Sequence, residues 1–150
     1  MPAGSEPLPL PRVYRPLGPR LAAVMAIIAI IAILGLLWFV GFSDATRARV
    51  TWLQRGTVIA LFGLGIACLH AMARSRIEAH EDRLVVVNGY RRREFEWAQV
   101  IAARLAPGAP WVVLDLADGT TCSAMGIQGS DGARAKADVR ELRTILAARS

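Results

Sequence analysis

Apolar residues run unbroken through two stretches in the first half of the chain. Leu21 to Phe42 is 22 residues without a charge, and Gly56 to Ala73 is another 18 interrupted only by His70. A helix rises about 1.5 Å per residue, so roughly 20 residues cross a hydrocarbon core about 30 Å thick. Both stretches are expected to span a membrane. The polar connection Ser43 to Arg55 between them carries Trp52, with Trp38, Phe39 and Phe42 just upstream, as an interfacial aromatic belt requires. Small residues recur in both spans, and Gly63 and Ala67 stand at the four-residue spacing that lets helix backbones approach closely. Such a face suits packing within the hairpin or a homo-oligomer.

From Arg76 onward the apolar period changes. Short runs at 76–80, 83–88, 92–97, 99–105, 111–116 and 120–125 read as strands. Turn residues separate several of them: Glu81-Asp82, Asn88-Gly89, Pro107-Gly108-Ala109-Pro110 and Asp118-Gly119. Helical spacing returns over 132–148, where Ala135, Val139, Leu142 and Leu146 form one apolar stripe opposite Arg134, Lys136, Asp138 and Glu141. Ser130 or Asp131 is placed to cap its start. A small sheet needs one face covered, and this helix is the element available to cover it. The predicted fold class is an α+β membrane protein, with a two-helix hairpin followed by a strand-rich domain over 76–149. Ahead of both, the leader 1–20 holds Pro2, Pro7, Pro9, Pro11, Pro16 and Pro19, and is expected to be extended and mostly disordered.

A signal peptide would have a shorter apolar core, about 7–15 residues, followed by a small-residue cleavage site. Gly41-Phe42-Ser43-Asp44 is a poor one, and the second span follows too soon.

Charge refines the picture. The formal net charge is +6. Residues 1–73 carry six arginines against Glu6 and Asp44, whereas 74–150 carry twelve basic against ten acidic residues. Most of the surplus flanks the spans, where basic residues set orientation. Nucleic-acid binding needs a basic face on the folded domain and is not expected. Arg12, Arg15, Arg20, Arg74, Arg76, Arg83 and Arg91 to Arg93 outnumber Arg47, Arg49 and Arg55 of the connection. The positive-inside rule then puts both termini in the cytoplasm, in a multi-pass inner-membrane protein. Cys68 and Cys122 form no disulfide framework and no metal spacing.

Tyr14-Arg15-Pro16, Phe95 to Val100, Pro110 to Gly119 and Ala124 to Gln128 carry a family resemblance. The chain resembles the bacterial pleckstrin-homology-like (PH domain-containing) family of small membrane proteins, of the low-molecular-weight protein antigen six type. The resemblance covers nearly the whole chain and implies a PH-like β-barrel plugged by the final helix. That fold has seven strands and the pattern above yields six. The family supplies architecture and no binding or catalytic residue.

Catalysis needs converging groups, and none converge in the sequence. His70 belongs to the end of the second span, and His80-Glu81-Asp82 reads as a strand-end turn. Cys122 beside Ser123 reads as core, as do Trp97 and Trp111. No catalytic residue, metal or cofactor is expected. The run Arg91-Arg92-Arg93 is the strongest binding candidate, with Arg83 on the preceding strand. If 76–80 leads away from the bilayer and 83–88 returns, the turn at Asn88-Gly89-Tyr90 brings the three arginines back to head-group level. Basic groups there each contribute on the order of 1 kcal/mol toward anionic lipid. The expected function is therefore a membrane-anchored binding or scaffolding module whose partner is a protein or anionic membrane lipid. The alternative is a structural subunit whose spans are the interaction surface in an envelope complex.

Overall fold

The structure, a computed structural model, describes residues 9–149. In chain order it contains β1 (Arg12–Tyr14), α1 (Leu17–Leu36), α2 (Asp44–Arg49), α3 (Trp52–Arg74), β2 (Arg76–Ala79), β3 (Arg83–Asn88), β4 (Arg91–Glu96), β5 (Val100–Arg104), β6 (Trp111–Leu116), β7 (Thr121–Gln128) and α4 (Ala133–Arg149). A π-helical turn, Leu37–Gly41, closes α1.

α1 and α3 pack against each other as a hairpin, yet their large apolar side chains remain exposed along both helices. Both are long and apolar enough to cross a membrane. The connection is more ordered than a polar loop needs to be. Ser43 caps α2, and Thr51 with Gln54 forms a capping box for α3. Arg47 Nη1 donates to the Trp38 carbonyl at 2.9 Å, satisfying a helix-end acceptor. Arg55 lies over the rings of Trp38 and Trp52, 5.1 and 4.9 Å from their centroids. Two of the three arginines in this connection thus close its turn.

The strands form two antiparallel sheets, ordered β1-β2-β3-β4 and β5-β6-β7. The seventh strand missing from the sequence reading is β1, and it corrects the expectation for the leader. Arg12, Val13 and Tyr14 pair with Ala79, Glu78 and Ile77, although residues 1–8 of the leader lie outside those described. Pro11 and Pro16 are compatible with this strand because it lies at a sheet edge, where a missing donor costs no ladder bond. Tyr14 is buried, and its hydroxyl donates to Glu141 Oε1 of α4 at 3.0 Å. Arg12 binds the same carboxylate through Nε at 2.6 Å and Nη2 at 3.2 Å. The helical hairpin is therefore inserted between the first two strands of one sheet.

The expected barrel is not closed. Among the described residues no ladder joins the two sheets. They meet instead where β7 crosses the end of β3 and the start of β2. Asn88 bridges that seam, its Nδ2 donating to the Ser123 carbonyl at 2.6 Å and its Oδ1 accepting from the Met125 amide at 2.9 Å. Gly126 lets the backbones touch: a Cβ there would lie 2.7 Å from Arg76 Cα and closer still to the Ile77 nitrogen. α4 covers the open end with Ala135, Val139, Leu142 and Leu146, the predicted stripe, joined by Ile145. Trp97 is a core anchor, donating from Nε1 to the His80 carbonyl at 3.1 Å.

Asp131 corrects a second expectation. Its carboxylate accepts from the Leu17 and Gly18 amides at the start of α1, both at 2.9 Å. Pro16, at the cap position, has no side chain to do this. Asp131 therefore ties the hairpin to the sheet domain across a long stretch of chain. Replacing it by alanine is expected to lower stability by about 1 kcal/mol, the usual cost of a lost cap. Thermal unfolding of the full chain in detergent checks this, and an unchanged midpoint would contradict the assignment.

Candidate functional site

Full register between β3 and β4 sorts the predicted arginines by face, because successive side chains alternate. Arg83 and Arg92 share the outer face with Glu94 between them. Arg83 Nη1 donates to Glu94 Oε2 and Arg92 Nε to Glu94 Oε1, each at 3.0 Å. The Arg83 hydrogen bond, followed by the Arg92 charge, holds the Glu94 carboxyl below its usual range. On the neighbouring strand Arg76 pairs with Glu78, which also meets His80 Nε2 at 3.2 Å. This lattice of ion pairs overlies Val85 and Val87, which are buried although they point away from the core. Arginine stems bury apolar surface while their heads stay wet, which accounts for that burial. Arg93 turns to the opposite face, its guanidinium 5.1 Å above the Phe95 ring. Arg91 is exposed beside the turn. The four candidates thus do not converge: two share ion pairs with Glu94, and two stand on the other face.

The turn they flank is nevertheless seated on α3. Gly89 adopts φ of 61°, which only glycine takes readily, and packs against Ala71. Its amide donates to the buried Ser75 Oγ at 2.9 Å, which in turn donates to the Ala71 carbonyl at 3.1 Å. Tyr90 reaches further along the helix. Its hydroxyl donates to the Ala67 carbonyl at 3.2 Å and meets His70 Nδ1 at 2.9 Å. With the phenol's one proton committed, Nδ1 is the donor in that second contact. Arg74 stacks over the Tyr90 ring at 5.2 Å. Tyr90 therefore occupies the backbone beside Ala67, while Gly63, one turn away, faces open space.

These contacts frame a cleft of about 260 Å³ between the start of α1 and the end of α3, lined by Arg15, Arg20, Val24, His70, Ala73, Arg74 and Arg76. In the sequence these arginines counted only toward orientation. Their convergence comes from the insertion of the hairpin, which brings both its ends to one place. The one legible signal was that charge flanks the outer ends of both apolar stretches.

Cys122 is buried, and burial pushes its thiol above the ordinary value, away from nucleophilic use. Among the described residues no group of three His, Cys, Asp or Glu side chains is arranged to hold a metal.

Residues 74–144 match the family described as the bacterial PH domain. Over that segment, just under half of the chain, the protein is similar to a bacterial PH domain. The matched segment begins at the last residue of α3 and ends within α4, so β1 completes the first sheet from beyond the hairpin. An uncharacterized protein of Mycobacterium bovis is 32% identical over 97 residues, which is 63% of this chain. Uncharacterized proteins of two Mycobacterium tuberculosis strains match to the same extent. The match spans 63% of the length of these relatives. No solved structure matches at a significant level.

Proposed function

We propose that this protein is a membrane-anchored PH-like binding or scaffolding module of the bacterial inner membrane, with both termini cytoplasmic. The PH domain docks a protein partner or anionic lipid at the membrane surface, without catalysis. The observation that carries this reading is the exposure of the hairpin. A helix apolar on every side needs a nonaqueous surrounding. Yet only 6% of the most apolar window of the first helix, and none of that in the second, is buried by protein. Lipid supplies that surrounding. The two short links, Tyr14 to Leu17 and Arg74 to Arg76, then hold the PH domain close to the bilayer from both ends of the hairpin.

Alkaline carbonate washing and vesicle sidedness test this. The chain is expected in the membrane pellet, and protease is expected to digest the PH domain in inside-out vesicles while sparing it in spheroplasts. Recovery in the carbonate supernatant would overturn the anchoring, and the reverse protease pattern would overturn the orientation.

The structural alternative rests on Gly63, beside which a neighbouring helix has room. On that reading the hairpin is the contact surface, in a homo-oligomer or in an envelope complex. Exchanging both helices for an unrelated hairpin would then abolish the association, whereas a PH-domain partner would survive the exchange.

A further inference from the structure

We propose that Arg15, Arg20, Arg74 and Arg76, with His70 at the cleft's inner wall, form a phosphate-binding site for an anionic phospholipid at the cytoplasmic end of the helical hairpin. This deepens the anchoring reading above and rests on it.

Four guanidinium groups line this cleft, and Glu78 is the carboxylate paired with one of them. Arg76 is held by Glu78 and by the Arg74 carbonyl, to which its Nη1 donates at 3.2 Å. Arg74 lies over the Tyr90 ring. Arg15 and Arg20 have no carboxylate partner among the described residues. The site therefore combines two pre-positioned arginines with two that no described carboxylate pairs. Arginine forks match phosphate oxygens in paired, charge-assisted hydrogen bonds. The nearby amino end of α1 is not the anion site, because Asp131 already takes the Leu17 and Gly18 amides.

Position within the fold selects a lipid over a free anion. Arg20 and Arg74 bound the two apolar stretches, so the cleft lies where head groups begin. Val24 and Ala73 give it an apolar wall on the side of the hydrocarbon. Basic pockets between spans on the cytoplasmic side are suited to anionic head groups. His70, oriented by Tyr90, lies about 6 Å deeper along α3 than Arg74, where a phosphodiester's glycerol linkage would run.

The test uses the full chain in detergent, examined by native mass spectrometry with phosphatidylglycerol, phosphatidic acid or phosphatidylcholine added. Arg15→Gln with Arg20→Gln removes both charges without touching a contact that holds the fold. Arg49→Gln with Arg140→Gln removes the same charge elsewhere. Wild type and control are expected to retain the anionic lipids over phosphatidylcholine, and the cleft variant to lose roughly tenfold in affinity. Competition by glycerol phosphate or inorganic phosphate at equal concentration would overturn the lipid assignment, while lack of competition supports it. Equal binding by the cleft variant, or equal loss in the control, would overturn the site. Carbonate fractionation of the same variants separates the readings. A cleft variant that stays in the pellet and loses lipid has lost only the site, while wild type in the supernatant removes the anchor itself.

Discussion

Gly126→Val is expected to abolish folding of the sheet domain, and Gly126→Ala to weaken it severely. The residue is conformationally ordinary, so its need for glycine is a matter of space. At this position β7 lies directly on the start of β2, and an added Cβ would press on the Ile77 nitrogen, the Arg76 carbonyl carbon and Arg76 Cα. All three are backbone atoms, which have no rotamer to move away. Relief would require β2 to leave β3, whose ladder runs from Arg76–Val87 to Ala79–Leu84. It would also disturb the Asn88 bridge to β7. Overpacking that side chains can absorb costs about 1–3 kcal/mol, and a backbone collision exceeds it. Against a total of about 5–15 kcal/mol for a typical domain, little folded protein would remain. Limited proteolysis and the fluorescence of buried Trp97 report the outcome. A Gly126→Ala protein that melts like wild type would show that the two sheets do not meet as described.

The second large effect is expected at Tyr14. Its ring is only 3% exposed and belongs to the core, so Tyr14→Ala is expected to cost about 3–5 kcal/mol. Tyr14→Phe keeps the ring and loses only the bond to Glu141, at about 1 kcal/mol. The phenol also sets a dependence on pH. Burial first, and the Glu141 charge second, raise its pKa above the ordinary value of 10.0. The folded state therefore holds this proton more tightly than the unfolded chain does. Its contribution is complete below pH 10 or so and is lost as pH rises beyond that. Denaturant unfolding across the alkaline range is expected to show a loss of stability in wild type that is smaller in Tyr14→Phe. Equal alkaline losses in the two proteins would place the titrating group elsewhere. An undiminished Tyr14→Ala protein would show that β1 contributes nothing to the sheet.

Both predictions concern contacts between residues far apart in the chain, and this separates what was legible from what was not. The strands at 83–88 and 111–116 could be read from the sequence because β-branched and aromatic residues cluster between turn residues there. The Asp118-Gly119 hairpin was legible for a local reason too. Gly119 takes φ of 81°, and Asp118 Oδ1 accepts from the Thr120 amide at 2.9 Å. β1 was not legible. A three-residue strand within the four residues between Pro11 and Pro16 carries no period, and its pairing partners lie beyond the entire helical hairpin. Asp131 was misassigned for the same reason: the nearest amide donors in sequence belong to α4, while the ones it serves belong to α1.

The arginines follow this division. Sequence counting placed a basic surplus around the hairpin, and the alternation rule alone predicts that Arg92 and Arg93 face apart. It does not say that Glu94 lies within reach of both Arg83 and Arg92, because that depends on the β3–β4 register. Nor does it bring Arg15 and Arg20 to Arg74 and Arg76, since these pairs flank opposite ends of the inserted hairpin.

The order and type of the main elements, the two long apolar helices and the final amphipathic helix were determined by sequence, since each depends on the period of neighbouring residues. The seventh strand, the open seam bridged by Asn88, the glycine at the sheet crossing and the basic cleft were decided by tertiary structure. Their energies come from pairs of groups that meet only once the chain has closed on itself, and no local pattern encodes which distant partner that will be.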